Sequence, residues 1–199
     1  MRVFYGLFVV FLFVVAVPLF LVISVAIAVF SGLPVLFCQR RIGLDGKSFT
    51  LYKFRTMIPG AEKLQQRYGK QNEANGPVFK IHNDPRFTSI GSFLSHTGLD
   101  ELPQLWNVVR GDMALIGPRP FPVAEATKLS PWMKKRDALK PGIISPWIFE
   151  GYHNRTFAEW MKSDLAYARQ KSFWYDLALA KKAVVLVIQL ISRELRGIS

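Results

Sequence analysis

The sequence predicts a mostly helical protein with one small β-hairpin, built on an apolar N-terminal segment. Three observations carry this. Residues 3–39 contain no charged side chain. An Asp-Gly turn sits between two β-like runs, over 35–41 and 48–54. Beyond residue 98, apolar residues recur at helical spacing in several separate stretches.

The N-terminal run is too long for the apolar core of a signal peptide, and one membrane crossing needs only about 20 apolar residues. Two readings fit it: a long tilted transmembrane helix, or a re-entrant hairpin whose two arms enter and leave by one leaflet. Pro18 stands at its midpoint and removes one backbone hydrogen bond. Arg2 precedes the run and Arg40 and Arg41 follow it. Cations at both ends fit two cytoplasmic ends under the positive-inside tendency.

The hairpin closes through residues 43–47, with Asp45-Gly46 as its turn signal. Lys53 and Arg55 alternate with Tyr52 and Phe54, so both cations are expected on one face. Residues 61–71 read as a polar surface helix, 78–81 as a short strand and 82–86 as a turn. Residues 123–139 read as a helix broken at Ser130-Pro131. There Trp132 and Met133 beside Lys134, Lys135 and Arg136 read either as an interfacial patch or as a plain solvated charge run. Residues 157–170 read as a helix. So do 176–195, but the apolar run of about nine residues within them is too short to span a bilayer, and an amphipathic interfacial or packing helix is expected.

Between these lies the stretch from His96 to Pro120. Leu99, Leu102, Leu105, Trp106 and Val109 predict a helix over 102–110 with one buried face. Pro103 suits its first turn, and Gly111-Asp112 its end. Asp100 and Glu101 then fall at the helix N-terminus, where the macrodipole favours an ionised Asp100. The Pro-rich residues 117–120 would hold Arg119 on a stiff turn. Taken singly, Asp100 reads as an N-cap and Arg119 as a surface cation.

Charge narrows the partner. The 199 residues carry 26 Lys and Arg against 14 Asp and Glu, net +12, with all but Arg2 of it beyond residue 39. A basic body on an apolar anchor suits anionic membrane lipids, nucleotide phosphates or a lipid phosphate. No nucleic-acid-binding motif appears, and acids interrupt the basic residues, which argues against nucleic acid. The one cysteine, Cys38, allows no intrachain disulfide and reads as a small packing residue. The three histidines lack metal-ligand spacing, and no GxSxG, HExxH or Walker A pattern is present.

The string LDELPQLWNVVRGDMALIGPRP resembles the signature of the bacterial sugar transferases, the monotopic phosphoglycosyl transferases. The similarity extends upstream through NEANGPVFKIHNDPRFTSIGSFL and YKFRTM and downstream to KPGI, nearly the whole chain. The resemblance implies a membrane-embedded re-entrant helix over 1–39, broken at Pro18, and a compact cytoplasmic catalytic domain over 40–199 with interfacial helices. It implies the cytoplasmic face of a bacterial inner membrane. It also implies a reaction: sugar-1-phosphate passes from a UDP-sugar to a polyprenyl phosphate, undecaprenyl phosphate in bacteria, through a phosphosugar on Asp100, and UMP leaves. This opens surface polysaccharide or glycoconjugate assembly.

Glu101 would assist, Mg2+ would bind Asp100 and Glu101 with substrate phosphate, and Lys53, Arg55 and Arg119 would bind substrate. A homodimer is a weaker expectation, without a sequence argument behind it. The chain departs from the family at Val17, where Ser usually precedes the proline, and at Ile148 and Tyr152, where Gln and Arg are usual. Asp164 and Tyr167 match a family D-x-x-Y pattern. The alternative is a non-catalytic membrane-surface scaffold that retains the fold. It would not need Asp100, Glu101 and Arg119 together.

Overall fold

The computed structural model describes residues 2–74, 76–150 and 155–197. It is mostly helical, with one two-stranded antiparallel sheet and one short parallel pair among the described residues.

Helix α1 (Arg2–Ser31) contains Pro18 and runs unbroken, so the break expected at Pro18 is not seen: the proline removes one backbone hydrogen bond while the turns on either side keep theirs. By length and composition, residues 4–31 suffice to cross a membrane. The helix does not stand away from the body. Tyr5, Val9, Phe13, Phe20, Ile23 and Ile27 recur at spacings of three, four or seven residues, and so share one face. Tyr5 Oη accepts from the Leu115 amide at 3.1 Å. Val9 packs with Phe49, Leu51, Val108 and Met113. Phe13 lies 5.7 Å from Trp106, and Phe20 4.6 Å from Phe54, between ring centroids. Ile23 and Ile27 share a core with Phe54 and Leu94. The other faces carry exposed Phe4, Phe11, Val22 and Phe30. One side of an apolar helix is thus spent on the body and the rest is left bare.

Strands β1 (Leu36–Ile42) and β2 (Ser48–Phe54) form the expected hairpin, Leu36 opposite Phe54 and Ile42 opposite Ser48. Its turn holds Asp45 at φ 54° and Gly46 at φ 73°, left-handed positions that these residue types tolerate. The expected boundary at residue 39 falls inside β1. Cys38 is exposed on this strand rather than packed.

The polar helix expected over 61–71 shortens to α2 (Ala61–Leu64) and a separate turn. The strand expected over 78–81 does not form, because the Asn72 side chain takes its polar groups. Asn72 Nδ2 donates to the Val78 carbonyl, and Asn72 Oδ1 accepts from the Lys80 amide.

Helix α3 (Ser89–Thr97) is capped by the Thr88 side chain and ends at Gly98 in the left-handed region. A 3-10 turn (Leu99–Glu101) then leads to α4 (Gln104–Val109). The buried residues of α4 are Gln104, Asn107 and Val108, while Trp106 is exposed. The expected apolar face therefore turns toward α1, and a polar residue faces the sheet. Asn107 explains this: its side chain accepts from the Tyr52 amide at 3.2 Å and donates to the Thr50 carbonyl at 2.7 Å.

The chain continues through β3 (Ala114–Ile116), α5 (Val123–Ala126), α6 (Pro131–Lys134) and β4 (Gly142–Ile144). The helix expected over 123–139 is reduced to two four-residue pieces: α5 already ends at Ala126, α6 starts at Pro131, and Arg136, expected in an interfacial patch, is instead buried. The parallel pairing of β3 with β4 was not expected. Helix α7 (Phe157–Gln170) opens with a Thr156/Glu159 capping box, and α8 (Phe173–Leu195) with a Ser172 cap.

Candidate active site

Asp100 and Glu101 occupy the 3-10 turn between α3 and α4, which begins at Gly98 with φ 74°. β2 brings Lys53 to them: its Nζ lies 2.9 Å from Asp100 Oδ2 and 3.6 Å from Glu101 Oε1. Arg119 arrives on the turn after β3, with Nη1 3.6 Å from Glu101 Oε1. Two carboxylates and two cations so meet from three separate parts of the chain.

The sequence expected the helix dipole to keep Asp100 ionised. The structure corrects this. Asp100 lies inside the turn and is buried, and α4 beyond it is only six residues long. Burial pushes its carboxyl above the usual aspartate range; Lys53 opposes this and the Glu101 charge adds to it. Burial also works against Glu101. There Lys53, then Arg119 and Arg41, outweigh it and hold the carboxyl below its usual range. Lys53 is therefore the main electrostatic support of both acids.

The walls of the site hold residues that sequence reasoning missed. Arg41, read only as a cation following the apolar run, is buried and lines the pocket with Lys53, Glu101, Gln104 and Arg119. Its Nη1 donates to the Pro120 carbonyl at 2.6 Å, and its Nε and Nη2 reach Gln39 Oε1. Burial, then the nearby Arg119, pull its guanidinium down to about 10, so it stays charged at neutral pH. The space itself is narrow, about 10 Å³, closed by the ion pairs of its own walls.

Arg55 does not join this group. Its Nη2 donates to the carbonyls of Ser31 (2.7 Å) and Gly32, at the C-terminal end of α1. β2 ends at Phe54, so the strand's alternation no longer directs Arg55, and unpaired helix-end carbonyls attract a cation. Pro18 lies in α1 beside an apolar hollow of about 80 Å³. Phe13, Val17 and Phe20 line it with Leu102 and Leu105, next in chain to the acid pair. Ile148 packs against the core that holds Phe121 and Trp147. Tyr152 lies outside the described residues.

The described residues contain no cluster of three or more His, Cys, Asp or Glu able to hold a metal. The paired oxygens of Asp100 and Glu101 nevertheless suit a hard cation that takes one or two carboxylates and completes its shell with phosphate and water. Chemically, a buried aspartate paired with lysine, next to a glutamate paired with arginine, is an arrangement able to serve a nucleophile and to receive phosphate.

Known proteins resemble this chain over most of its length. The family model for bacterial sugar transferases matches residues 1–190. The galactosyl transferase CpsE of Streptococcus agalactiae is 40% identical over 162 residues, covering 81% of this chain and 35% of that protein. The undecaprenyl-phosphate galactose phosphotransferase of Salmonella typhimurium is 34% identical over 167 residues, covering 80% of this chain and 34% of that protein. The exopolysaccharide production protein ExoY of Sinorhizobium fredii is 32% identical over 174 residues, covering 85% and 77%. The chain thus spans about a third of the first two relatives and most of the third. With a family model that covers nearly its whole length, the chain belongs to the bacterial sugar transferase family.

Proposed function

We propose that this protein is a phosphoglycosyl transferase that moves a sugar-1-phosphate from a UDP-sugar to a polyprenyl phosphate at a membrane surface. The observation that carries the reading is the linkage of Lys53, Asp100, Glu101 and Arg119 through three ion pairs. Relatives named for undecaprenyl-phosphate galactose and glucose phosphotransfer support the lipid acceptor and a hexose donor.

In the first step an Asp100 carboxylate oxygen forms a bond to the β-phosphorus of the UDP-sugar. The bond from that phosphorus to the bridging oxygen breaks, and UMP leaves with the electron pair. In the second step a polyprenyl phosphate oxygen attacks the same phosphorus. The acyl-phosphate bond breaks, Asp100 returns as a carboxylate, and a polyprenyl-diphosphate sugar is released. Lys53 keeps Asp100 charged for attack, and Arg119 and Lys53 stand where charge spreads over the phosphoryl oxygens. Asp100 and Glu101 would hold Mg2+, which supplies further neutralisation of phosphate charge.

Helix α1 serves as the anchor. Tyr5 and Ile27 both touch the body, although a helix segment of that length spans about 33 Å. A straight crossing would carry one of them to the far side of the bilayer. This supports a monotopic helix whose two ends both lie at one leaflet; that leaflet is, on the proposed function, the cytoplasmic one of a bacterial inner membrane, with the domain beyond residue 39 carrying the chemistry. Exposed Trp174, Val184 and Ile188 on α8 and Trp132 on α6 support an interfacial seat for the body among anionic lipids.

UMP release from a panel of UDP-sugars, by protein in detergent or lipid with Mg2+, tests the reading. Release from one sugar that requires undecaprenyl phosphate is expected. No release from any nucleotide sugar, with lipid and metal present, would favour the scaffold.

A further inference from the structure

The D-x-x-Y pattern has no part in the chemistry above, yet both of its residues are buried beneath the turn that bears Arg119. Asp164 and Tyr167 are three apart on α7 and so share a face. Among the described residues, the Arg119 side chain has one weak ion pair, at 3.6 Å to Glu101, and it is over a third exposed. Its position therefore depends on its backbone. Pro118 and Pro120 have no amide hydrogen, so the carbonyls are the handles by which that backbone is held. The Pro118 carbonyl accepts from the Gly142 amide at 3.0 Å, and the Pro120 carbonyl from Arg41. The carbonyl of Arg119 itself accepts from Arg136 Nη2.

Arg136 is 2% exposed, lies 4.5 Å over the Phe121 ring, and pairs through Nε with Asp164 Oδ2 at 3.1 Å. Asp164 is fully buried, and neither of its oxygens has a hydrogen bond among the described residues. A carboxylate kept in that state has Arg136 as its counter-charge, and it fixes the direction of the guanidinium. At the other end of the turn, the Tyr167 hydroxyl lies 3.2 Å from the Ile116 carbonyl and 2.7 Å from Asp176 Oδ1. Its ring packs with Ile116 and Leu179.

We propose that Asp164, Arg136 and Tyr167 form a brace under residues 116–120 that sets where the Arg119 guanidinium stands. They are positioning residues for phosphate recognition at the Asp100 site, an inference that rests on the function proposed above.

Two conservative variants test it in the full-length, detergent-embedded protein. Arg136→Lys keeps a cation opposite Asp164 and removes the fork that reaches the Arg119 carbonyl. Tyr167→Phe keeps the ring and removes the hydroxyl. Hydrogen exchange over residues 116–122 should speed up about tenfold or more in Arg136→Lys, what loss of one charge-assisted hydrogen bond implies, with the β1–β2 hairpin unchanged. A smaller increase in the same segment is expected for Tyr167→Phe. In UDP-sugar turnover, Arg136→Lys should cost about tenfold in the parent protein but less than about twofold in an Arg119→Ala background, because the brace acts through Arg119. Unchanged exchange over 116–122 in both variants, or fully additive losses, would overturn the brace. If the parent protein turns over no UDP-sugar, the functional reading fails while the exchange data still decide the brace.

Discussion

At the level of single residues, the site is a charge balance that Lys53 dominates. Asp100 is buried and its carboxyl is raised, so a proton competes for the carboxylate proposed as nucleophile. The protonated acid cannot attack. The acid limb of the kcat/KM profile is therefore expected above the ordinary aspartate value of about 3.9. Lys53→Met should move that limb to still higher pH, since Lys53 lowers the pKa; a shift to lower pH would contradict the assignment. Asp100→Asn should lower transfer by at least about a thousandfold, as loss of a nucleophile does. Arg119→Ala should cost about 2–4 kcal/mol in transition-state stabilisation, read from kcat/KM. An unchanged rate would make Arg119 a structural cation.

At the level of elements, close backbone approaches place the acid pair. Gly91 on α3 leaves no room for a side chain: a Cβ there would stand 1.8 Å from the Thr56 carbonyl oxygen, just past the end of β2. Gly91→Ala should destabilise by about 3 kcal/mol or more, since neither backbone can give way easily; an unchanged thermal midpoint would contradict that packing. Elements with local causes were legible in the sequence. The Asp-Gly hairpin, the Ser130-Pro131 break, and helices α7 and α8 follow from turn chemistry, caps and periodicity. The parallel pair of β3 and β4 was not legible, because three-residue strands carry no pattern and the pairing rests on the close approach of Gly117 and Gly142. Asn107 and Arg41 were missed for a related reason. Their partners, Thr50, Tyr52 and Pro120, lie more than fifty residues away in the chain. Lys53 and Arg119 were found through the family resemblance; Arg55 sits in the same string but turns to the end of α1.

At the level of the whole molecule, a basic body is joined along one face to an apolar helix whose other faces are bare. If both ends of α1 lie at one leaflet, its start is on the body's side of the membrane. A cysteine at Phe4, in a Cys38→Ser background, should react with a membrane-impermeant maleimide in inside-out vesicles and be protected in right-side-out ones. The reverse pattern would establish a crossing. On the proposed function, such an anchor would hold the acid pair near the lipid phosphates, where a soluble nucleotide sugar and a membrane-bound acceptor would meet. The central claim is that Asp100 carries the phosphosugar between them. The most direct test incubates the protein with a radiolabelled UDP-sugar and Mg2+ without lipid acceptor, then locates the label by peptide mass spectrometry. The account predicts one phosphohexose on the peptide containing Asp100, absent from Asp100→Asn and discharged on adding undecaprenyl phosphate. UMP release with product formed and no adduct on that peptide would contradict it, and would point to direct transfer between the two substrates.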